Sequence, residues 1–193
     1  YWFWHPNHES QVRITEQLMD TYYKSVGRNS VLLLGLSPDR TGRIPDFDVA
    51  RLREWRRTLD AEFAADLART ATVKIDVDGA DAEAVNDGRD DTFWSAANPE
   101  PACIELRFDE PVTFNRVLLQ EMITEGQQVE AWRFAVRFDA DRWVDMAGGG
   151  AIGHKRLFQL GTVQTDAVRL RLTDVRGAPT VRRVGLFQTS SPA

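Results

Sequence analysis

The sequence predicts an α/β portion followed by an all-β portion, because the period of its hydrophobic pattern changes near residue 70. Before that point, two helical patterns flank a continuously apolar run, Val31–Leu36. After residue 72, short segments alternate between apolar and polar residues, and turn signals separate them. We therefore expect a first domain at 1–66, a linker at 67–72 and a β-sandwich at 73–193.

The N-terminal portion reads as β–α–β–α. We expect a first helix from Ser10, a candidate N-cap, to about Val26. Val31–Leu36 is typical of a strand buried on both faces of a parallel sheet. Asp46 can cap a second helix, whose apolar stripe consists of Val49, Leu52, Trp55, Leu59 and Phe63. A complete (β/α)8 barrel takes about 250 residues, so we expect this piece to be unstable alone.

The C-terminal portion shows the alternation of an antiparallel sandwich and no helical pattern. The predicted strands contain Val73/Ile75/Val77, Ile104/Leu106/Phe108, Trp132/Phe134/Val136/Phe138, Val168/Leu170/Leu172 and Val184/Leu186. We assign the tryptophans of this portion, Trp94, Trp132 and Trp143, to the core for the same reason.

Composition excludes several classes of partner. A net charge of −5 and a pI near 5.3 argue against nucleic acid or an anionic membrane as the main partner. No apolar run reaches the length of a membrane span. The single cysteine, Cys103, cannot form an internal disulfide or a cysteine-based metal site, and we expect it to act as a small buried hydrophobe.

The start of the chain predicts that it is a piece of a longer product. It opens at Tyr1, without an initiator Met, a charged leader or a signal peptide. It begins instead within an apolar aromatic segment, Tyr1–Trp4, which has the character of a strand interior.

The first portion resembles the end of the catalytic barrel of glycoside hydrolase family 29, the α-L-fucosidases. The resemblance is carried by Tyr1–Pro6, Gln17–Asp20, Ser25–Leu34 and Leu36–Ile44. Gly35 departs from the pattern, because the family more often has Asn there. The match covers about 60 residues in nearly continuous order and looks closest to the branch that acts on α-1,3/4-linked fucose.

The second portion resembles the discoidin, or coagulation-factor type C, sandwich, a galactose-binding-like fold also seen in carbohydrate-binding modules. The residues that carry this resemblance are Ala84–Trp94, Ile152–Arg156 and Val181–Phe187. The spacing Asp87-Gly88 followed by Thr92 and Trp94 is the most specific element.

The resemblance implies an enzyme that hydrolyses terminal α-linked L-fucose with retention, without a required cofactor, on fucosylated oligosaccharides or glycoconjugates. Such enzymes use two carboxyl groups about 5–5.5 Å apart. By resemblance both precede Tyr1, so we expect no catalytic residue in this chain; Asp39 is better explained as a turn residue beside Pro38. The resemblance also implies an extracellular or periplasmic location.

The resemblance makes Trp2 the candidate for contact with the apolar face of fucose, because C–H groups of a sugar ring stack on an indole. Trp4 and His5 are weaker candidates. The competing interpretation is that these aromatic residues belong to the barrel core.

The loop Asn86–Thr92 is a candidate calcium site, with Asp87, Asp90 and Thr92 as ligands. Related domains often complete the site with a C-terminal Glu, and this chain has Arg183 there, which disfavours a cation. The simpler interpretation is a turn at Asp87-Gly88 with Trp94 filling the core.

Two other functions stay open at this level: a free-standing carbohydrate-binding module and an adhesion-type domain without sugar binding. The strand pattern of Val31–Leu36 favours the enzyme, because neither alternative needs a parallel strand.

Overall fold

The architecture comes from a computed structural model that describes residues 3–189. The chain divides into two compact units, Tyr1–Ala64 and Ala65–Ala193. The stretch expected to be a linker, 67–72, lies in the second unit, where Leu67–Thr70 forms a 3-10 helix with Ala68 fully buried.

The first unit contains two helices. Helix α1 spans Thr15–Lys24 and α2 spans Asp46–Glu62. They pack through an edge-on contact of Tyr22 with Trp55 at 6.3 Å and through a hydrogen bond from the Tyr23 hydroxyl to Glu62. Both pairs link the last turns of α1 to the second half of α2.

The start of each helix differs from the prediction. Ser10 lies in a separate 3-10 turn, Glu9–Gln11, and α1 begins after Ile14, whose N–H donates to the Gln17 side chain. Asp46 is the first residue of α2 and Pro45 takes the N-cap position, so Asp46 makes no side-chain cap. Proline fits there because the first N–H groups of a helix have no intrahelical partner.

The predicted strand Val31–Leu36 is not paired within the described residues. Its backbone lies outside helices and strands, and Val31 and Leu33 are 92% and 93% exposed. The predicted apolar stripe of α2 is only half-buried, including Trp55. A parallel strand needs neighbours on both edges and helices on both faces, and residues 3–64 supply neither.

The second unit is a β-sandwich. Its strands are β1 (Thr72–Ile75), β2 (Gly79–Ala80), β3 (Trp94–Ala96), β4 (Ala102–Gln120), β5 (Val129–Asp139), β6 (Arg142–Gly149), β7 (Arg156–Val175), β8 (Thr180–Val181) and β9 (Arg183–Phe187). The larger sheet has the order β1-β4-β7-β5-β6, with β9 also paired to β4, and the smaller has the order β2-β3-β8. Every pairing is antiparallel.

Two long strands, β4 and β7, run through the sandwich. Residues 104–107 of β4 pair with β1, and residues 102–107 pair with the second half of β7. Residues 116–120 of β4 pair with β9, and residues 116–119 pair with the first half of β7. The register shifts between Arg107 and Val112, and such irregularities bend a strand. The bend lets one strand serve both parts of the sheet.

Alternation along the strands builds most of the core as predicted; Phe138, predicted as part of that pattern, is instead 67% exposed because it lies near the end of β5. Ile104 and Leu106 of β4, Phe134 of β5 and Leu170 of β7 are fully buried. Cys103 differs from the prediction: it is half-buried, because it pairs with Arg171 on the opposite, polar side of β4. Burial raises the pKa of its thiol, with Asp76 nearby acting in the same direction.

Candidate functional site

The N-terminal aromatic segment does not form a strand in the described residues. Phe3 to His8 run through a turn, with Asn7 in the left-handed region at φ 64°. The turn brings the rings of His5 and His8 to 4.9 Å. Trp2, the first-choice candidate for contact with sugar, lies outside the described residues.

This segment forms one wall of a hollow of about 300 Å³ in the first unit. Trp4 and His5, the weaker candidates from the sequence, both line it. The other lining residues are Phe3, His8, Gln11, Val12, Arg13, Leu18, Leu34, Gly35, Leu36, Ser37, Phe47, Asp48, Arg51 and Leu52. The first two turns of α2 therefore contribute to the same hollow as the N-terminal segment.

Apart from His5, sequence reasoning missed the charged and imidazole side chains of this hollow. Asp48 and Arg51 stand three positions apart on α2, a spacing that places side chains on one helix face. An acidic residue in the first turn of a helix is stabilised by the helix dipole, so the charge of Asp48 does not by itself mark it as functional. His8 and Arg13 gave no sequence signal, because only the turn and the entry into α1 bring them to the hollow.

The electrostatic surroundings of His8, Asp48 and Arg51 differ. Partial burial and then the neighbouring His5 lower the pKa of His8, which favours a neutral ring at pH 7. Burial raises the pKa of the Asp48 carboxyl. Arg51 is fixed by hydrogen bonds from Nη1 to Thr15 Oγ1 at 3.2 Å and to Glu54 Oε2 at 2.8 Å.

The lining suits a small polar ring with one apolar face, because aromatic walls stand beside hydrogen-bonding groups. Among the described residues that line it, Asp48 is the one carboxylate, whereas retaining hydrolysis uses two carboxyl groups. Asp39 accepts hydrogen bonds from Thr41 N and Oγ1 at 2.7 Å and from Arg43 N at 3.2 Å. These hydrogen bonds close a local turn, so Asp39 acts as a turn residue.

The candidate calcium loop, Asn86–Thr92, is held by its own side chains. The carboxylate of Asp87 accepts from Thr92 Oγ1 at 2.7 Å and from the backbone N–H of Arg89 at 2.8 Å. Arg89 pairs with Asp91 at 2.8 Å, which lowers the pKa of Asp91. Two of the three proposed ligands, Asp87 and Thr92, therefore bond to each other.

One cation beside this loop is Arg182, which the sequence did not single out. Its Nη2 lies 3.7 Å from Oδ1 of Asp90, the third proposed ligand. Arg183, named from the resemblance, instead donates through Nη2 to Asp66 at 2.8 Å. Among residues 3–189 no cluster of three or more His, Cys, Asp or Glu side chains is placed to hold a metal ion.

The tryptophans of the sandwich divide between core and surface. Trp94 and Trp132 are 1% and 3% exposed, in agreement with the core assignment. For Trp143 that assignment was wrong: it is half-buried on β6, outside the core cluster, with the guanidinium of Arg169 3.8 Å from its ring centre. It pairs with Arg137, so the two side chains share the polar face of the sheet.

Comparisons with known proteins cover both units. The F5/8 type C domain model matches residues 69–185. The chain is 32% identical to a candidate α-L-fucosidase 1 of Oryza sativa subsp. japonica, over 98% of this chain and 38% of that protein. The chain thus spans about two fifths of the length of that curated relative.

Solved structures are also similar to this chain over nearly its whole length. A candidate α-L-fucosidase from Bacteroides thetaiotaomicron superposes with a TM-score of 0.92 at 32% identity, covering 98% of this chain and 43% of that one. A GH29 fucosidase variant from Ruminococcus gnavus, solved in complex with fucose, gives 0.86 at 25% identity, covering 98% and 39%. None of the helices described here has the length and apolar character to cross a membrane.

Proposed function

Because the chain belongs to the F5/8 type C domain family, with relatives that are α-L-fucosidases along both units, we propose that it is the C-terminal part of a GH29 α-L-fucosidase. The observation that carries the proposal is the extent of the similarity. It covers 98% of the chain, so it includes the helical unit as well as the sandwich. A carbohydrate-binding module acting alone accounts for the sandwich and leaves the helical unit unexplained.

The proposed substrate is a terminal α-linked L-fucose on an oligosaccharide or glycoconjugate, with α-1,3/4 linkages as the expected class. Support comes from the relative solved with fucose and from the hollow, whose aromatic wall at Phe3 and Trp4 suits the C–H face of a sugar. His5 and Arg51 offer hydrogen-bonding groups to its hydroxyls.

The proposed reaction is hydrolysis with retention through a covalent glycosyl–enzyme intermediate. It needs a nucleophilic carboxylate and a second carboxyl that acts first as acid and then as base. We assign both to the part of the enzyme that this chain does not include. The role proposed for this chain is to complete the sugar pocket, and a secreted or periplasmic enzyme is the expected setting.

The test uses the complete protein that contains this chain. Hydrolysis of an aryl α-L-fucoside is followed by release of the phenol, and NMR identifies the anomer of fucose formed first. We expect turnover with the α-anomer as first product. A complete protein that releases no fucose from aryl fucosides or from α-1,3/4-fucosylated oligosaccharides would refute the activity, and a β-anomer would refute retention alone.

A further inference from the structure

The polar face of the larger sheet is rich in arginine along β5, β6 and β7. In one row of cross-strand neighbours, Arg171 of β7 pairs with Arg133 of β5, and Arg133 pairs with Gly148 of β6. Cross-strand neighbours point to the same side of a sheet, so the two arginine side chains stand next to each other. We call this surface of the three strands the arginine face.

A hollow of about 870 Å³ lies on the arginine face. Its charged lining consists of four arginines and one aspartate: Arg137, Arg142, Arg169, Arg171 and Asp145. Each of the four arginines forms an ion pair with a carboxylate, at distances of 2.5–3.6 Å. These pairs hold the guanidinium groups in place, and any unbalanced charge has to come from other residues of the sheet.

Arg133 supplies such a charge. Its side chain is exposed and forms no ion pair within residues 3–189. A Cβ atom at Gly148 would lie 2.6 Å from its Nη1 and 2.8 Å from its Cδ, so this glycine leaves the space in which Arg133 lies along the sheet. Next to this row, Arg107 and Arg169 share the single carboxylate of Glu105. Positive charge on these strands is therefore incompletely paired.

The negative charge of the chain is concentrated in residues 76–91, which we call the acidic segment. It contains seven acidic residues and one cation, Arg89, a net charge of −6, whereas the whole chain carries −5. Asp78, Asp81 and Glu83 are exposed, and none of them forms an ion pair in the described part of the chain. The sandwich thus carries separate regions of opposite, incompletely paired charge.

The acidic segment begins at the far end of the row that contains Arg171 and Arg133. Asp76 follows β1, and its Oδ1 accepts a hydrogen bond from Cys103 N at 2.7 Å. Cys103 pairs with Arg171, so the row runs from Asp76 across β4 and β7 to Arg133. Three strand spacings of about 4.8 Å separate its ends by about 14 Å. A two-fold rotation that reverses the row places the acidic end of one copy opposite the basic end of another.

The arginine face also has the composition of a protein–protein contact. Trp143 and Met146 line its hollow, and the Arg169 guanidinium lies 3.8 Å from the Trp143 ring centre. Tryptophan, methionine and arginine are enriched where proteins associate. A nucleic acid or an anionic membrane would be repelled by the acidic segment, whereas a second copy of the chain offers a complementary charge to both regions.

We propose that the chain forms a two-fold dimer in which the acidic segment of each copy docks on the arginine face of the other. The partner is a second copy because this chain itself carries both complementary surfaces. The same contact forms twice in the dimer, as two-fold symmetry requires. The inference concerns assembly, so it does not depend on the activity of the complete enzyme.

Sedimentation velocity of the 193-residue chain over a series of concentrations tests the dimer. We expect a concentration-dependent dimer at low salt and a monomer in about 1 M salt, where the Debye length is about 3 Å. Arg133→Glu and Asp78→Arg should each raise the dimer Kd at least about ten-fold without lowering Tm. Arg57→Glu is the matched control: Arg57 is exposed on α2 and forms no described ion pair, so its Kd should not change.

A mixture of the two variants provides the sharper test. Neither Arg133→Glu nor Asp78→Arg should dimerise well alone, because each places like charges in both contacts. In a mixed dimer, one contact joins the two substituted sites with their charges exchanged, and the other joins two unmodified sites. We therefore expect the mixture to form a heterodimer with nearly the Kd of the unmodified chain. Glu83→Arg replaces Asp78→Arg in this experiment if the latter lowers Tm.

Three results would overturn the dimer. The first is a chain that stays monomeric at low salt at every concentration. The second is a mixture of the oppositely charged variants that does not associate, or an Arg57→Glu variant weakened as much as Arg133→Glu. The third is association that persists in 1 M salt and is lost in Leu33→Asp, because it would assign self-association to the exposed apolar segment of the first unit.

Discussion

At the scale of single residues, buried charged side chains fix the local structure of the sandwich. Asp66 precedes the 3-10 helix Leu67–Thr70 and accepts hydrogen bonds from Ala68 N, Arg183 and Leu186 N at 2.8–3.1 Å. It thereby ties the start of the unit to its last strand, β9. Such a carboxylate is favourable because several donors replace its lost hydration.

Glu105 of β4 provides a prediction about pH. Its side chain is 9% exposed; burial raises its pKa, but hydrogen bonds and charge from Arg169 and Arg107 outweigh burial and leave the pKa lowered. A carboxyl group whose pKa is lower in the folded state than in the unfolded state stabilises the fold at pH values above the unfolded pKa. This stabilisation is lost as the pH falls below about 4. Glu105→Gln should therefore cost about 1–3 kcal/mol at pH 7 and less at pH 3.

Urea unfolding of the chain at both pH values measures this difference. Glu110→Gln is the control, because Glu110 is exposed on the same strand; its unfolding free energy should match that of the unmodified chain at both pH values. An equal loss for Glu105→Gln at pH 7 and pH 3 would contradict the electrostatic explanation.

Trp2 remains the residue on which we predict the largest effect on catalysis. In the complete enzyme, Trp2→Ala should lower kcat/KM roughly 10- to 100-fold, or about 1.4–2.7 kcal/mol, because one stacking contact with the sugar is lost. Melting temperature and kcat/KM are measured on the same variant. Trp94→Ala is the control: Trp94 is a core residue at 1% exposure, and its loss should cost about 3–5 kcal/mol of stability instead. An unstable Trp2→Ala enzyme with near-normal kcat/KM would assign Trp2 to the core.

At the scale of elements, Val31–Leu36 has the composition of a strand but no strand partner among the described residues. Its apolar side chains alternate between strong exposure, as at Leu33, and half-burial, as at Leu32. Extended backbone of this kind has N–H and C=O groups that a neighbouring strand can pair. We propose that a sheet in the complete enzyme supplies the partner strands for this segment.

Leu33→Asp tests the role of this element. In the isolated chain, Leu33 is 93% exposed, so the change should alter the unfolding free energy by less than about 0.5 kcal/mol. In the complete enzyme the same change should destabilise by several kcal/mol, because it places an unpaired charge in a parallel sheet. Melting curves of the isolated chain and of the complete enzyme, each with and without the substitution, measure the two effects.

The control is Ile104→Asp, at a position 0% exposed in β4, which should destabilise the chain and the complete enzyme alike. A complete enzyme that tolerates Leu33→Asp without loss of stability would show that the segment is not a buried strand.

The loop Asn86–Thr92 is the element for which we predict no response to calcium. Its Asp87 oxygens already accept hydrogen bonds, and Arg182 lies beside Asp90, so a cation would meet an occupied and partly repulsive site. Millimolar calcium should leave the Tm of the chain unchanged. A clear rise that a chelator reverses would contradict this prediction.

At the scale of the whole molecule, the two units differ in their means of stabilisation. The sandwich has a continuous buried core from Ala68 to Leu186, whereas the described part of the helical unit buries few apolar side chains, among them Leu18 and Tyr23. Hydrophobic burial is the main favourable term in folding, so we expect the sandwich to be the more stable unit. The helical unit gains most from the rest of the proposed barrel.

The 193-residue chain alone should not hydrolyse an aryl α-L-fucoside. The hollow of the first unit has Asp48 as its one described carboxylate, and retaining hydrolysis requires two. Phenol release by pure chain, compared with buffer, is the measurement. Turnover that follows the chain through purification and is blocked by a fucose-like inhibitor would show that this chain carries a catalytic pair.

The sequence by itself determined the all-β second unit, its principal strands, the family to which it belongs and the resemblance to α-L-fucosidases. These follow from local signals: period-two alternation, as at Ile104 and Leu106, and short motifs such as Asp87-Gly88. Each signal is written in neighbouring residues, so one strand can be recognised without knowing what it packs against.

Only the tertiary structure decided which side chains lie on the polar face of the sheet and which lie at the exposed ends of strands. Trp143 and Phe138 have the alternation of core residues, yet one lies on the polar sheet face and the other at the exposed end of β5. Asp48 and His8 meet at one hollow, and Arg182 rather than Arg183 stands beside Asp90. Strand pairing, bulges and turns set these distances between residues far apart in the chain, and periodicity carries no information about them.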